Sequence, residues 1–288
     1  MVKPSRPGRI DFAAVGRAAA RHNIEILGPP PARPTRAATQ FRPRTGRESC
    51  WAPCHTGVMI DYPTSGIRGV VFDVNETLSD MAPMAGAFEA VGAPGSLAKI
   101  WFAGVLRDGF ALSTVGDSER FAAIANDQLR VVLHSARIRG SLDQAVESIL
   151  DKMRTLSLHP DVAGGVRALT GDGLQVLTLS NGSSELAARL FAEAGLREEV
   201  SHLLSVEDVS LWKPAEQAYR LASEASGLAL GQLLLVAVHP WDIHGAARAG
   251  MRTAWINRTG EPYPTYFAAP DFTVSAVSEL ADAIRSTR

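Results

Sequence analysis

Asp73 directly follows the apolar run Gly69-Val70-Val71-Phe72, and Thr77 stands four positions after it. A short apolar run bounded by polar turn residues reads as a buried strand. In an open α/β sheet, the side chain at the carboxyl end of such a strand enters the ligand crevice. A carboxylate there, faced by the Thr77 hydroxyl, has a geometry suited to an aspartyl nucleophile. An aspartate in this position also serves as a helix cap or turn former, which is the commoner use. The decision therefore rests on three further segments. Leu174 to Gly182 is a second apolar strand ending in Ser180 and Asn181. Lys213 lies just before Pro214 and a helix over Ala215 to Ala225 that carries Tyr219. Leu233 to Val238 is a third strand, running through His239-Pro240-Trp241 into Asp242.

These segments need a scaffold. After Asp73 the pattern changes to amphipathic helices over Met84 to Val91, Ser96 to Ser113, Ser118 to Ile138 and Ser141 to Leu156, with caps or breaks at Asp117-Ser118-Glu119 and Gly140-Ser141. Strands and helices then alternate: strand 174–180, helix 183–195, strand 201–206, helix 214–226, strand 233–238, helix 243–249, strand 252–256, and a last strand and helix from Phe272 to Ser286. This βα alternation implies an α/β fold with a parallel, doubly wound, Rossmann-like sheet. Asp242 doubles as the expected N-cap of the helix starting at Ile243.

Composition sets limits on function. A chain of 288 residues with 46% hydrophobic content can bury a full core and a smaller second one. No stretch reaches the roughly 18 uninterrupted apolar residues of a membrane span. Residues 1–58 carry ten Lys/Arg against three Asp/Glu, leaving nineteen against twenty-seven in residues 59–288. An acidic body speaks against nucleic acid as a partner. The expected partners are a small-molecule substrate and, at most, a second copy of the chain.

Residues 1–58 also hold eight of the seventeen prolines and both cysteines. Apart from a short helix near Phe12 to Arg21, nothing there has the periodicity to offset the cost of ordering, so a disordered extension is expected. Cys50, Cys54 and His55 are too few ligands for a structural zinc site. The segment lacks the apolar core of a secretory signal, and the expected location is cytoplasmic. Its Arg-rich character suits a transit peptide or translation from an upstream start, with Met59 as an alternative first residue.

Taken in series, Asp73, Ser180-Asn181, Lys213-Pro214 and Asp242 resemble the haloacid dehalogenase-like hydrolase superfamily, and most closely its type II 2-haloacid dehalogenase branch. The resemblance covers residues from about 67 to 288. It implies a core of residues 59–82 and 158–288 beneath a helical cap, residues 83–157, that excludes water from Asp73. Asp73 matches the nucleophile, which forms an ester and splits one hard displacement into two easier steps. Ser180 and Asn181 match the residues holding the substrate's anionic group; a capping serine and a turn asparagine are the plainer reading. Lys213 matches the cation that keeps the nucleophile ionised. Tyr219 matches a tyrosine of the dehalogenase branch, or packs as helical tyrosines commonly do. Asp242 matches the carboxylate that orients Lys213 or activates water.

Departures from the pattern narrow the chemistry. Phosphatases of the superfamily place an acid two residues after the nucleophile, where this chain has Asn75, and supply paired carboxylates for Mg²⁺ near the position of Asp242. A halide leaves without protonation, so the expectation is metal-independent dehalogenation of a small 2-haloacid with no cofactor. An Mg²⁺-dependent phosphatase and a non-catalytic ligand-binding member are the alternatives. The serine and asparagine of the dehalogenase branch are replaced by Ala237 and His239, and its halide-binding arginine falls at Phe102. Arg107 either reaches the cavity in its place or is an ordinary surface residue. His239 serves as a general base near Asp73 or as a satisfied loop histidine.

A chain beginning at Met59 is expected to melt within a few degrees of the full-length protein, because residues 1–58 lack a core pattern. A larger drop, measured by calorimetry, would show that the segment packs on the body.

Overall fold

The computed structural model describes residues 66–287; the expected extension, with Cys50, Cys54 and Met59, lies outside the described residues. Six parallel strands form one sheet: β1 (Gly69–Phe72), β2 (Gln175–Ser180), β3 (His202–Ser205), β4 (Leu233–Ala237), β5 (Arg252–Ile256) and β6 (Phe272–Val274), in the order β3-β2-β1-β4-β5-β6. The strands read as continuous apolar runs because helices cover both faces of the sheet, as parallel sheets require. Val70 and Phe72 join Val176, Leu234 and Val236 in one core, while Val71 joins Leu177 and Leu235 in the other. This is the doubly wound α/β architecture that the alternation implies.

Helices α5 (Val162–Gly171), α6 (Ser184–Glu193) and α9 (Leu280–Arg285) pack into the first core, whereas α7 (Glu216–Ser226) and α8 (Pro240–Ala249) pack into the second. The order reverses at β1, which pairs with β2 on one side and β4 on the other, Phe72 lying opposite both Thr178 and Val236. Such a switch point opens a crevice at the carboxyl ends of the strands. Asp73 leaves β1 there, with its N–H donated to Val236 O at 3.0 Å.

Four helices are inserted after β1: α1 (Pro83–Ala90), α2 (Leu97–Thr114), α3 (Phe121–Leu133) and α4 (Leu142–Arg154). Their apolar residues, among them Phe88, Trp101, Leu129 and Ile149, continue the second core. The links to this insertion pair with each other: Ser79 bridges Leu158 antiparallel, and Asp80 N–H donates to Ser157 O at 2.8 Å. Ser141 opens α4 with a reciprocal capping box to Gln144, as Gly140-Ser141 suggests. Helix α3 starts at Phe121 rather than Ser118, since Arg120 is extended and Glu119 O accepts the indole N–H of Trp212 at 3.1 Å. Among the described residues no helix is long and apolar enough to cross a membrane.

Helix α5 is absent from the sequence-based expectation. Its sequence, VAGGVRALTG, holds three glycines, which weaken any helical signal. Tertiary packing overrides propensity: a Cβ on Gly165 would lie 2.6 Å from Val277 Cγ1 and 2.7 Å from its carbonyl, so glycine permits the approach of the 277–279 turn. Gly164, one residue earlier, has open space beside it. Gly165→Ala is therefore expected to destabilise the fold by about 1–3 kcal/mol through overpacking. Gly164→Ala should instead gain up to about 1 kcal/mol of helix propensity. Opposite shifts of the urea midpoint check the pair; equal shifts would show that the Val277 contact yields.

Candidate active site

A buried chain of polar side chains crosses the carboxyl end of the sheet. Lys213 has no exposed surface, and its Nζ donates to Asp73 Oδ1 at 2.8 Å and to Asp242 Oδ2 at 2.7 Å. Thr77 Oγ donates to Asp73 Oδ2 at 2.7 Å and accepts from Val238 N–H at 3.1 Å, tying the loop after β1 to the end of β4. Tyr219, on α7, donates its hydroxyl to Asp242 Oδ1 at 2.7 Å. Gly245 on α8 leaves room for that hydroxyl, because a Cβ there would collide with it. Asn181 holds the lysine's backbone from both sides, accepting from Lys213 N–H at 2.9 Å and donating to Lys213 O at 3.3 Å. Ser180 Oγ accepts from Gly182 N–H at 2.9 Å, and its own proton remains free to point elsewhere.

The electrostatics follow from burial and pairing. Burial opposes ionisation of Asp73, but the Lys213 ammonium, His239 and the hydrogen bonds from Lys213 and Thr77 outweigh it and hold the carboxyl below its ordinary value. Asp242 goes the other way: burial raises it, Lys213 offsets part of this, and the nearby Asp73 charge raises it further. For Lys213, burial alone would favour the neutral amine, yet Asp242 and Asp73 together keep the ammonium and raise its value. Burial and the neighbouring Asp242 charge push the Tyr219 phenol well above the usual range, so it keeps the proton that it donates to Asp242. Asp73 is therefore the ionised carboxylate; both acids are buried with each oxygen hydrogen-bonded, Asp242 having no exposed surface.

His239 stands at the entrance to this chain. Its Nε2 lies 3.2 Å from Asn75 O, 3.6 Å from Asp73 Oδ2 and 3.8 Å from Glu76 Oε2. Only the Asn75 carbonyl is within hydrogen-bond distance, and Nε2 serves it when that nitrogen carries the hydrogen. In that arrangement His239 is the loop histidine satisfied by a backbone carbonyl, one of the two readings its position allowed, with the Asp73 and Glu76 carboxylates close by. The ring stacks between Trp241, at 5.1 Å, and Phe102, at 6.4 Å. Outside it lies a cavity of about 850 Å³ between α1, α2 and the loop after β5, with His239, Phe102 and Glu76 on its inner wall. The cavity thus stops one side chain short of Asp73, which is itself only 4% exposed.

Most of the residues singled out from sequence converge here: Asp73, Thr77, Lys213, Asp242, Tyr219 and Asn181 are linked directly, Asn75 through His239, and Ser180 lies beside them at the end of β2. For four residues the structure narrows the alternatives. Arg107 points to solvent and pairs with Asp108 at 2.7 Å. Five residues past Phe102 is about 140° around a helix, so a turn and a half carries the side chain away from the cavity. Tyr219 is fully buried against Asp242 and does not line the cavity. Asn181 spends its amide on the Lys213 backbone. Asp242 is the third residue of α8 and not its cap, since Pro240, whose ring suits the first turn, starts the helix. Sequence reasoning missed Glu76, His159 and Arg258, which surround the loop after Asp73. Of these only Arg258, just past the end of β5, sat where a strand-end rule would have flagged it.

Lys213→Met leaves two buried carboxylates without their shared cation, with an expected cost of about 3–5 kcal/mol. The pH dependence should also reverse. In the native protein Asp73 is held low, so its contribution is present above the ordinary carboxylate value and is lost as pH falls through the lowered one. In the variant, burial and mutual repulsion raise the pair, so stability should be lost as pH rises from about 5 to 8. Denaturant titrations at several pH values check this; a pH-independent loss would mean that the carboxylates are not coupled through Lys213.

Comparison with known proteins agrees with this geometry. The model of a haloacid dehalogenase-like hydrolase matches residues 67–250. The chain is 31% identical over 219 residues to an (S)-2-haloacid dehalogenase of Pseudomonas sp. strain YL, covering 75% of this chain and 94% of that protein. It is 29% identical to haloacetate dehalogenase H-2 of Moraxella sp. strain B, over 76% of this chain and 98% of the relative. A solved L-2-haloacid dehalogenase structure superposes with a TM-score of 0.72 at 29% identity, covering 76% of this chain and 99% of that one. With the family match spanning β1 to β4, the inserted helices and every residue of the buried polar chain, this protein belongs to the haloacid dehalogenase-like hydrolases.

Proposed function

We propose that this chain displaces halide from the 2-carbon of a small haloacid without a metal ion, using Asp73 as nucleophile. The observation that carries the reading is the state of Asp73: ionised, with Lys213 on one oxygen and Thr77 on the other, at the switch point of the sheet. Both contacts orient the carboxylate and leave its charge available. Lys213 stands between Asp73 and Asp242, giving the anionic substrate a positive neighbour at the point of attack. Asp242, with both oxygens engaged, orients Lys213, and Tyr219 orients Asp242. Ser180 Oγ–H is a donor left for the substrate carboxylate, beside the His239 ring on the cavity wall. The inserted helices, residues 83–157, act as a cap over a core of residues 59–82 and 158–288.

The chemistry runs in two displacements. A carboxylate oxygen of Asp73 attacks the 2-carbon from behind, and halide leaves with the bonding pair. Water then adds to the acyl carbon of the Asp73 ester and releases the 2-hydroxy acid, so the stereocentre is inverted once. Asn75 does not protonate a leaving group, and halide departure needs no such proton. The sequence relatives named as 2-haloacid and haloacetate dehalogenases support the substrate class.

An L-2-halocarboxylate should be converted to the inverted 2-hydroxy acid at a rate unchanged by EDTA. Asp73→Asn should lower that rate at least a thousandfold, about 4 kcal/mol of barrier at tenfold per 1.4. Chiral chromatography and halide release are the measurements. Phosphate release that depends on Mg²⁺, with no haloacid turned over, would replace this reading with a phosphatase. A residual rate above a tenth in the Asn variant would remove Asp73 as the covalent residue.

A further inference from the structure

The loop that carries the nucleophile is held by its backbone. Three consecutive carbonyls, of Asn75, Glu76 and Thr77, each meet a side chain from a different part of the fold: His239 Nε2 at 3.2 Å, His159 Nε2 at 3.2 Å and Arg258 Nη2 at 2.9 Å. The middle residue, Glu76, is left-handed at φ 62°, a conformation that costs a non-glycine residue roughly 1 kcal/mol. A strained turn persists only where its surroundings over-determine it.

Arg258 is the most firmly anchored of the three. Its Nη1 pairs with Asp161 Oδ1 at 3.0 Å, and Asp161 Oδ2 accepts Val277 N–H at 2.6 Å. The guanidinium thus spans from the entry of α5 to the nucleophile loop, and its planar fork serves both acceptors at once, as a lysine ammonium does not. The Thr77 residue it holds by the carbonyl is the one whose hydroxyl sits between Val238 N–H and Asp73 Oδ2. A shift of that carbonyl turns the hydroxyl away from the carboxylate.

We propose that Arg258 is a positioning residue for the nucleophile: by tying Thr77 O to Asp161 it fixes the hydroxyl that Thr77 aims at Asp73. It lines the cavity, but one N–H of each terminal nitrogen is held by the fold, on Asp161 and on Thr77 O, and these two bonds carry the positioning role.

The test is a double-mutant cycle. Arg258→Met should lower kcat on an L-2-halocarboxylate about tenfold or more while KM stays within about twofold. In a Thr77→Val background, where the hydroxyl is already gone, the same substitution should cost less than about twofold further. Methylguanidine should restore part of the rate to the Met variant. Arg258→Lys, which keeps the charge and one of the two bonds, should fall between and carries the same measurements if the Met variant does not fold. Hydrogen exchange over residues 74–79 should quicken in either variant. This kinetic arm rests on the dehalogenase reading and the exchange arm does not. A wild type inert to every haloacid sinks that reading and leaves exchange to decide the role of Arg258. Equal costs in both backgrounds, a rise in KM at constant kcat, or unaltered exchange would overturn the proposal.

Discussion

Lys213 bridges two carboxylates that reach it from opposite halves of the chain, and the rest of the site is arranged around that bridge. Removing an ammonium from water costs several kcal/mol, and only close pairing repays it. Both partners lie within 2.8 Å, and a tyrosine hydroxyl and an asparagine amide fix the groups behind them. Each element contributes at its end: β1 delivers Asp73, the segment before α7 delivers Lys213, and the first turn of α8 delivers Asp242. The bridge also sets the division of labour. With one cation between two acids, Asp73 is held below its ordinary value while Asp242 is raised.

Much of this was legible in the sequence, for a physical reason. The strands of a parallel sheet are buried on both faces, so 69–72, 175–180 and 233–237 stand out as apolar runs whose next residues must be functional or turn-forming. What was hidden depends on contacts that leave no mark on residue type. In helix α5 the glycine at 165 is required because a neighbouring turn lies against it, a fact about Val277 and not about the helix. The clamps on the loop after Asp73 are made to backbone carbonyls, which every residue has. Arg107 stayed open between cavity and surface because spacing alone does not give its phase on the helix. Tyr219 stayed open between a site role and packing, and its hydroxyl faces inward to Asp242.

The wall between the cavity and the nucleophile is aromatic. Trp241, His239 and Phe102 stand in sequence, Phe121 lies 6.3 Å beyond Phe102, and Trp212 stacks on Phe121 at 6.0 Å. Lys213 Nζ lies 5.9 Å above the Trp241 ring, a second favourable contact for its charge. Such a wall lowers the local dielectric around Asp73, which strengthens each of its ionic contacts.

Trp212 stands one residue before Lys213, and its environment ties the inserted helices to the core. Ser113 Oγ accepts its backbone N–H at 2.9 Å, Glu119 O accepts its indole N–H at 3.1 Å, and Gly109 has no side chain because the ring occupies that space. Any movement that swings the helical insertion away from the sheet must break two hydrogen bonds and slide the indole out of its slot on α2. The same movement pulls on the peptide leading into Lys213. The contacts that seat the indole on the insertion are thus in series with those that seat the lysine: one peptide link separates the Trp212 hydrogen bonds from the ion pairs of Lys213 with Asp73 and Asp242.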